Sequence, residues 1–333
     1  MRPLAFRLLP ELSHERFTSG AKLAEKLGVS RSAISEALHE AGEAGVRIFS
    51  LTRRGYRLAE PLELLDIDRI RTELGAALRR VDVDVVSSIE STNTTLMARA
   101  AAGAPSGTCL VAEQQTAGRG RRGRAWQSAF GASLTFSLLW RFNRGAAQLA
   151  GLSLVVGLAV ARVLREMGAV GVQLKWPNDI VADGSKLGGI LIETQGDMLG
   201  PTAVVIGIGL NVRFSTPMLE NIAGQVDQPV ADVQSLCAVP LSRNRLLAAI
   251  LREIVAMLDQ FQRDGFAAFR DEWLQMHALQ DKPVRVLTGD GTGFDAIVRG
   301  VGEDGSLRVS RNGREVALSF GELSLRRTTG ATK

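Results

Sequence analysis

The residue pattern predicts an α+β fold in three units: a short helical unit closed by a basic hairpin, a mixed α/β sheet backed by helices, and a small C-terminal β-barrel. Three observations carry this. Apolar residues recur at helical spacing over 18–42 and then alternate about Arg53-Arg54-Gly55. Six strand-like runs lie between 81 and 212 without strict alternation of strand and helix, and past Asp281 short strands follow one another between turn signals. A chain of 333 residues also suits two or three domains at roughly 150 residues each.

In the first unit, residues 1–62, Leu23 and Leu27 recur on one helix, Ile34 and Leu38 on the next, and Gly28 stands where the chain must turn with positive φ. Small Ala24 lets the two helices cross closely, Val29 and Ile34 fill the wedge, and Ser30 is placed to cap the second helix. The segment RIFSLTRRGYRL then forms a hairpin, so the unit reads as a winged helix-turn-helix. Arg31 and Ser32 at the head of the second helix, with Arg53, Arg54 and Arg57 on the wing, are its candidate DNA contacts. Two readings stay open. Either the unit binds DNA, or it is kept for packing or dimerisation and Glu36 and Glu40 on the second helix repel phosphate.

Pro61 opens PLELLDID, where a helix restarts the chain, and this puts a boundary near 62. The middle unit, 63–277, has strand candidates at 81–89, 107–115, 132–140, 172–183, 186–196 and 202–212, and helices at 93–102, 145–167 and 243–275. The apolar run Leu149 to Ala161 is interrupted by Gly151, Ser153 and Gly157 and is shorter than the ~20 residues a bilayer requires, so it reads as a buried helix. Acidic and proline residues near the N-terminus do not suit a signal peptide, and a cytoplasmic protein with no membrane partner is the expectation. The last unit, 278–333, runs PVRVL, FDAIVRGV, SLRVS and EVALSF between the turn signals GDGTG, EDGS and Asn312-Gly313.

Cys109 and Cys237 lack metal-ligand spacing, and His14, His39 and His277 are scattered among charged or flexible neighbours, where solvated histidines are expected. Structural zinc is excluded, triad chemistry has little support, and no protein metal ligands are assigned. Net charge is only +5, from 40 Lys and Arg against 35 Asp and Glu, yet Arg119, Arg121, Arg122 and Arg124 cluster. A specific anion site fits that clustering better than a general polyelectrolyte surface.

Gly118 to Gly123 spells GxGxxG, but the strand pattern GASLTFSLLW follows it rather than the helix whose N-terminus would receive a pyrophosphate. No GxxxxGK[ST] loop occurs either. The run is instead a glycine-mobile loop whose guanidinium forks grip phosphate or carboxylate and can order around an anion. KWPND (175–179) and SKLGGIL (185–191) come after it. Taken alone, Trp176 would be core, Pro177 would end a strand and Asp179 would open a turn.

Taken together, ESTN (90–93), QQTAGRGRRGRAW (114–126), KWPND, SKLGGIL and GIGLNV (207–212) resemble the biotin protein ligase family. The N-terminal winged helix extends the resemblance to the bifunctional form that also acts as a biotin operon repressor. The resemblance implies an SH3-like C-terminal barrel, the use of biotin, ATP and Mg2+, and a two-step reaction. Biotin's carboxylate attacks the α-phosphate of ATP, giving biotinyl-5'-AMP and pyrophosphate; a lysine of biotin carboxyl carrier protein then displaces AMP. Operator DNA and a second copy of the ligand-bound chain are the further partners it implies.

Residue roles follow from the same resemblance. Lys186, Arg121 and Asp179 form the catalytic set, with Lys186 meeting the biotin carboxylate or the adjoining phosphate. Arg119, Gly120 and Arg121 close over biotin, while Ser91, Thr92, Asn93 and Gln115 partner its ureido ring. Gly188 and Gly189 leave backbone open to close approach, and Lys175, Asn178 and Asn211 join the binding set near the nucleotide. Trp126 flanks the adenylate and shields the anhydride from water, or is a core Trp; Arg326 reaches the adenylate from the barrel, or is a surface arginine. Asp179 either removes a proton from the acceptor lysine or orients it. The competing functions are a ligase with a vestigial N-terminal unit, a non-catalytic ligand-sensing transcription factor, and a lipoate protein ligase. Intact Lys175, Lys186 and arginine loop oppose the second, and the GRGRRGR string opposes the third.

Overall fold

The computed structural model describes residues 3–196, 200–226, 228–288, 292–319 and 324–327. Three helices, α1 (Pro3–Leu8), α2 (Gly20–Leu27) and α3 (Arg31–Glu43), precede a two-stranded antiparallel wing, β1 (Ile48–Leu51) and β2 (Gly55–Leu58). Ser19 and Ser30 cap α2 and α3 by accepting from the backbone N–H three residues on, and Gly28 turns between them at φ 67°. Leu23, Ile34 and Leu38 meet in one core, as the helical spacing requires. The sequence pattern did not reveal α1, because six residues are too few to display a period; its Ala5 and Leu8 complete the core.

The middle of the chain runs α4 (Ile67–Leu74), β3 (Asp82–Ile89), α5 (Thr92–Ala101), β4 (Thr108–Gln115), β5 (Ser133–Phe142), α6 (Leu152–Glu166), β6 (Val172–Lys175), β7 (Asp179–Ala182), β8 (Ser185–Gly196) and β9 (Thr202–Asn211), then α7 (Thr216–Ala223), α8 (Arg243–Asp264) and α9 (Arg270–Gln275). Its seven strands lie in the order β3-β4-β5-β9-β8-β7-β6, with β3 parallel to β4 and the other pairs antiparallel. One face packs on α4, α6 and α8 through the main core, which includes Phe136, Leu158 and Leu258. The stretch Ala146–Glu166 is long and apolar enough to cross a membrane, but it is largely buried inside the fold. On the opposite face, α5 covers only one end, with Leu96 and Ala100 against Leu110, Leu139 and Val205.

Three expected elements are divided. The run 172–183 folds back on itself at residues 176–178, pairing Lys175 with Asp179 across a hairpin. The helix expected at 145–167 begins at Leu152, because Gly151 sits at φ 82° and the space a Cβ would need there is filled by Phe266. The helix expected at 243–275 stops at Gly265, φ 69°, before a short turn and α9.

The last strands, β10 (Pro283–Leu287), β11 (Gly293–Val301), β12 (Leu307–Arg311), β13 (Arg314–Leu318) and β14 (Ser324–Arg327), form an antiparallel sheet ordered β13-β12-β11-β10-β14. Val284, Val286, Val298 and Val309 face the main core, and a register shift between Val298 and Gly300 lets β11 bend. The turn signal GDGTG lies partly outside the described residues, as does the chain beyond 327. His277 departs from the solvated surface histidine expected: it is 5% exposed and lies tilted against Trp273, with 4.6 Å between ring centres. Burial pushes its pKa down to about 4.

The helical unit is fastened to the sheet at two places. Phe130, in the segment leading into β5, enters the core of the helical unit and meets Phe6 edge-on at 5.4 Å. The connecting residues are held by the start of α8: Glu63 accepts from Ser242 Oγ (2.7 Å), Arg243 N (2.6 Å) and Asn244 Nδ2 (2.9 Å). Beneath them Arg243 pairs with Glu113 at 2.8 Å, both side chains at most 4% exposed.

Candidate active site

The half of the sheet face that α5 leaves open has three glycines in its floor. Gly189 pairs with Gly209 and Leu191 with Gly207, while Thr135 and Ser137 of β5 lie opposite the same two glycines of β9. Residues two apart on a strand share a face, so the GIG of β9 clears a strip for close approach. The strip is occupied from above: a Cβ on Gly209 would sit 2.4 Å from the Trp126 indole, and one on Gly207 would sit 2.0 Å from Asn93 Oδ1. Neither glycine has positive φ, so the need is for space rather than for backbone freedom.

At one end of the strip polar side chains converge. Ser91 caps α5, Thr92 N donates to Gln115 Oε1 at 2.7 Å, and the Thr92 and Ser137 hydroxyls are 2.7 Å apart. Ser137 Oγ also donates to Asn93 Oδ1 at 2.6 Å. Ser91, Thr92 and Asn93 are all under 5% exposed. Hydroxyl and amide groups pre-bonded in an apolar wall suit a neutral polar ring better than an ion.

At the other end the charges gather. Lys186 Nζ lies 2.6 Å from Asp179 Oδ1 and 5.9 Å from the centre of the Trp126 ring. A register shift in the β7 and β8 pairing sets Lys186 opposite Val181, and its backbone is held by Pro229 O, Ala231 N and Asn211 Nδ2. Burial lowers the pKa of Lys175, an effect that Lys186, Arg326 and Arg124 reinforce and Asp179 opposes. Arg326 on β14 is therefore brought electrostatically to this end. Burial also lowers the pKa of Arg121, whose guanidinium faces Asn178 Oδ1 at 3.4 Å. Asn178 is itself braced against β8 by Ile190 O at 2.7 Å.

The arginine loop between these ends is a tight hairpin. Trp126 N donates to Gly118 O (2.8 Å), Gly120 N donates to Arg124 O (2.7 Å), and Arg122 and Gly123 turn at φ 60° and 70°. The buried Trp126 Nε1 lies against Gly209 and has no hydrogen-bond partner among the described residues.

Two family models match the chain: the Biotin/lipoate A/B protein ligase family over residues 85–211 and an HTH domain over residues 5–57. The bifunctional ligase/repressor BirA of Salmonella typhimurium is 38% identical over 319 residues, spanning 96% of both chains. That of Escherichia coli is 38% identical over 320 residues, again 96% of each. This chain belongs to the bifunctional biotin ligase/repressor family. Among solved structures, the biotin protein ligase of Aquifex aeolicus in complex with biotin and ATP matches with a TM-score of 0.63 and 26% identity, covering 74% of this chain and 99% of that one.

Within this biotin ligase fold some residues stand differently from their expected approach to ligand. Gly188 lies on the opposite, helix-covered face of β8, where a Cβ would strike Leu210 and Gly209 O at 2.5 and 2.6 Å; Gly189 belongs to the floor and faces the Lys186 ammonium. Asn211 is buried with its amide on the Lys186 and Ala231 carbonyls, so it supports Lys186 from behind. On the helical unit, Arg31, Ser32, Arg53 and Arg54 are exposed, and α3 also presents Ser35, Glu36 and His39 to solvent. Arg57 does not share that role: its guanidinium lies over Phe17 and Phe49 and donates to His14 O at 3.0 Å. Sequence reading missed Ser137, which bonds Asn93, and Glu193, which bonds both Asn93 and Arg119; even spacing from Gly189 along β8 could have signalled Glu193.

Gly209→Ala tests the floor. The added methyl overlaps the indole, and overpacking of this kind costs about 1–3 kcal/mol. The expected result is a displaced Trp126, read as red-shifted tryptophan emission, with a raised KM for biotin; native emission and native KM together would show that the indole does not rest on the strip.

Proposed function

We propose that this chain activates biotin as biotinyl-5'-AMP, transfers the biotinyl group to a lysine of biotin carboxyl carrier protein, and in its adenylate-loaded form represses transcription as a DNA-bound dimer. The observation that carries the ligase reading is the polarity of the glycine-floored groove, with neutral hydrogen-bonding groups at Thr92 and Asn93 and cations at Lys186, Lys175 and Arg121. A molecule with a uncharged ureido ring and a carboxylate tail fits only one way round.

In the first step an anion must approach a polyanion. Lys186 and Arg121 lower that repulsion as charge shifts to the departing pyrophosphate, and being already fixed they need no reorganisation. A Mg2+ carried on the ATP phosphates suits the donor set, since such an ion keeps several waters and needs one or two carboxylates, and Asp179 offers one. When bound it would neutralise phosphate charge. Trp126 roofs the strip and keeps water from the mixed anhydride. In the second step the amine of the carrier lysine forms the amide bond, AMP leaves with the phosphoryl oxygen, and the amine gives up a proton near Asp179.

The repressor half is supported by the exposed cations of α3 and the wing and by Phe130, which lies four residues beyond Trp126 and inside the helical unit's core. Ordering the arginine loop around ligand pulls on the same segment that seats the DNA-binding unit. Residues 192–196 of β8 extend past β7 and pair only with β9, leaving an open edge through which two copies can join. Ligand and DNA then strengthen each other by the same factor.

Two measurements test this reading. Incubation with biotin, labelled ATP and a carrier domain should give biotin-dependent pyrophosphate exchange and transfer, which their absence would refute. Anisotropy with DNA from upstream of biotin synthesis genes, over a salt series, should show tight binding only with biotin plus ATP; weak, ligand-independent, sequence-indifferent binding would leave a ligase with a vestigial winged helix. Arg121→Ala should release the adenylate roughly 10- to 100-fold faster, the equivalent of losing a charge-assisted bond of about 1.5–3 kcal/mol. A filter-binding chase in which the variant retains the intermediate as the native chain does would exclude that role.

A further inference from the structure

We propose that Glu193 is a positioning residue of the site: it ties Arg119, and with it the start of the arginine loop, to the sheet, and it sets which way round the Asn93 amide stands. The proposal deepens the ligase reading and rests on it. Glu193 follows Gly189 and Leu191 at two-residue spacing on β8, opposite Val205 of β9, and its side chain is 22% exposed. Its two oxygens do different things. Oε2 accepts from Asn93 Nδ2 at 2.9 Å, and Oε1 lies 3.1 Å from Arg119 Nη1.

A carboxylate can only accept, so the Asn93 NH2 must face Glu193. The Asn93 oxygen is thereby turned toward Ser137, whose hydroxyl donates to it at 2.6 Å, and the absence of a side chain on Gly207 leaves room for that arrangement. A run of bonds extends from Gln115, which accepts from Thr92 N, through the Thr92 hydroxyl donating to Ser137, and on through Asn93 and Glu193 to Arg119. Arg119 opens the hairpin, bridging to Ala125 beside Trp126. Holding Arg119 therefore holds the roof over the floor. Because Arg119 is half-exposed, the pair contributes little to global stability; its effect falls on the loop and on ligand, through the conformational freedom removed before binding.

Glu193→Gln keeps an acceptor for Asn93 and removes the charge that holds Arg119; Glu193→Asp keeps the charge. In the ligand-free full-length chain, trypsin should cut Glu193→Gln between Gly118 and Arg124 about threefold faster or more, with an unchanged melting temperature. In pyrophosphate exchange its biotin KM should rise about tenfold while kcat and the ATP KM stay within about twofold, and Glu193→Asp should recover most of the loss. In an Arg119→Ala background Glu193→Gln should change biotin KM by less than about twofold, because the two residues act as one unit. Native rates of loop cleavage, a native biotin KM, or an equal loss in both backgrounds would overturn the proposal. A native chain without exchange activity defeats the ligase reading, and the ligand-free cleavage rates still decide the role of Glu193.

Discussion

Lys186→Ala is expected to lose about 10²-fold or more in the rate of adenylation, the usual cost of removing one preorganised electrostatic contact. Three features make this lysine more than a nearby cation. Its Nζ is fixed by Asp179 at 2.6 Å, its carbonyl is held by Asn211 and Ala231, and the adjacent indole excludes water on one side. Its charge is therefore in place before biotin and ATP meet. Pyrophosphate exchange at saturating substrates reads the effect, and an unchanged rate would take Lys186 out of the chemistry. Asp179→Asn separates a role in adenylation, where Asp179 braces Lys186, from a role at the incoming amine in transfer. If Asp179 only steadies Lys186, the loss appears in exchange; if it removes the proton of the incoming amine, exchange is preserved and transfer from preformed adenylate slows.

Arg243→Met is expected to destabilise the protein by about 3–5 kcal/mol, because it strands the buried Glu113 carboxylate without its counter-charge. The loss reaches further than one ion pair. Arg243 Nη1 also donates to Ser133 O at 3.1 Å and Nη2 donates to Glu63 O, while Glu113 Oε1 accepts from Leu65 N. One guanidinium thus joins β4, β5, the start of α8 and the segment leading out of the DNA-binding unit. The melting temperature should fall by roughly 6–20 °C. Replacing both partners, Arg243→Met with Glu113→Leu, should recover much of the loss, since an apolar pair leaves no buried charge. A single variant as stable as the native chain would mean that water replaces the guanidinium.

The winged helix was legible from local chemistry alone. Gly28 permits one turn and Ser30 caps one helix, and both effects act within four residues. The site was legible as motifs, and its ligand as a resemblance, because the arginine loop, KWPND and SKLGGIL each occupy one continuous stretch. Division of the 172–183 run was legible only in part: Pro177 signals a strand end, but Asp179 opens β7 rather than a turn, and the hairpin is fixed by the burial of Trp176, whose Nε1 donates to Gly305 O 129 residues away. For the same reason His277 was misjudged. Its neighbours Met276, Ala278 and Leu279 are apolar, but whether they and His277 face inward is set by Trp273 and by the way α9 meets the last sheet.

What the sequence determined by itself is therefore the set of short-range choices: which segments form helix or strand, where glycine must turn the chain, and which residue types are available for chemistry. Tertiary structure alone decided which of those residues share a place. Lys186 and Asp179 meet because a strand register shifts by one residue, Asn93 meets Glu193 across 100 residues of chain, and the floor exists because Gly189, Gly207 and Gly209 fall on one face of two paired strands. Side-chain alternation has a period of two, so a single-residue slip would turn every one of these groups to the opposite face. Register is fixed by burial of the helix-covered side of the sheet, a sum over many distant contacts that no local window of sequence contains.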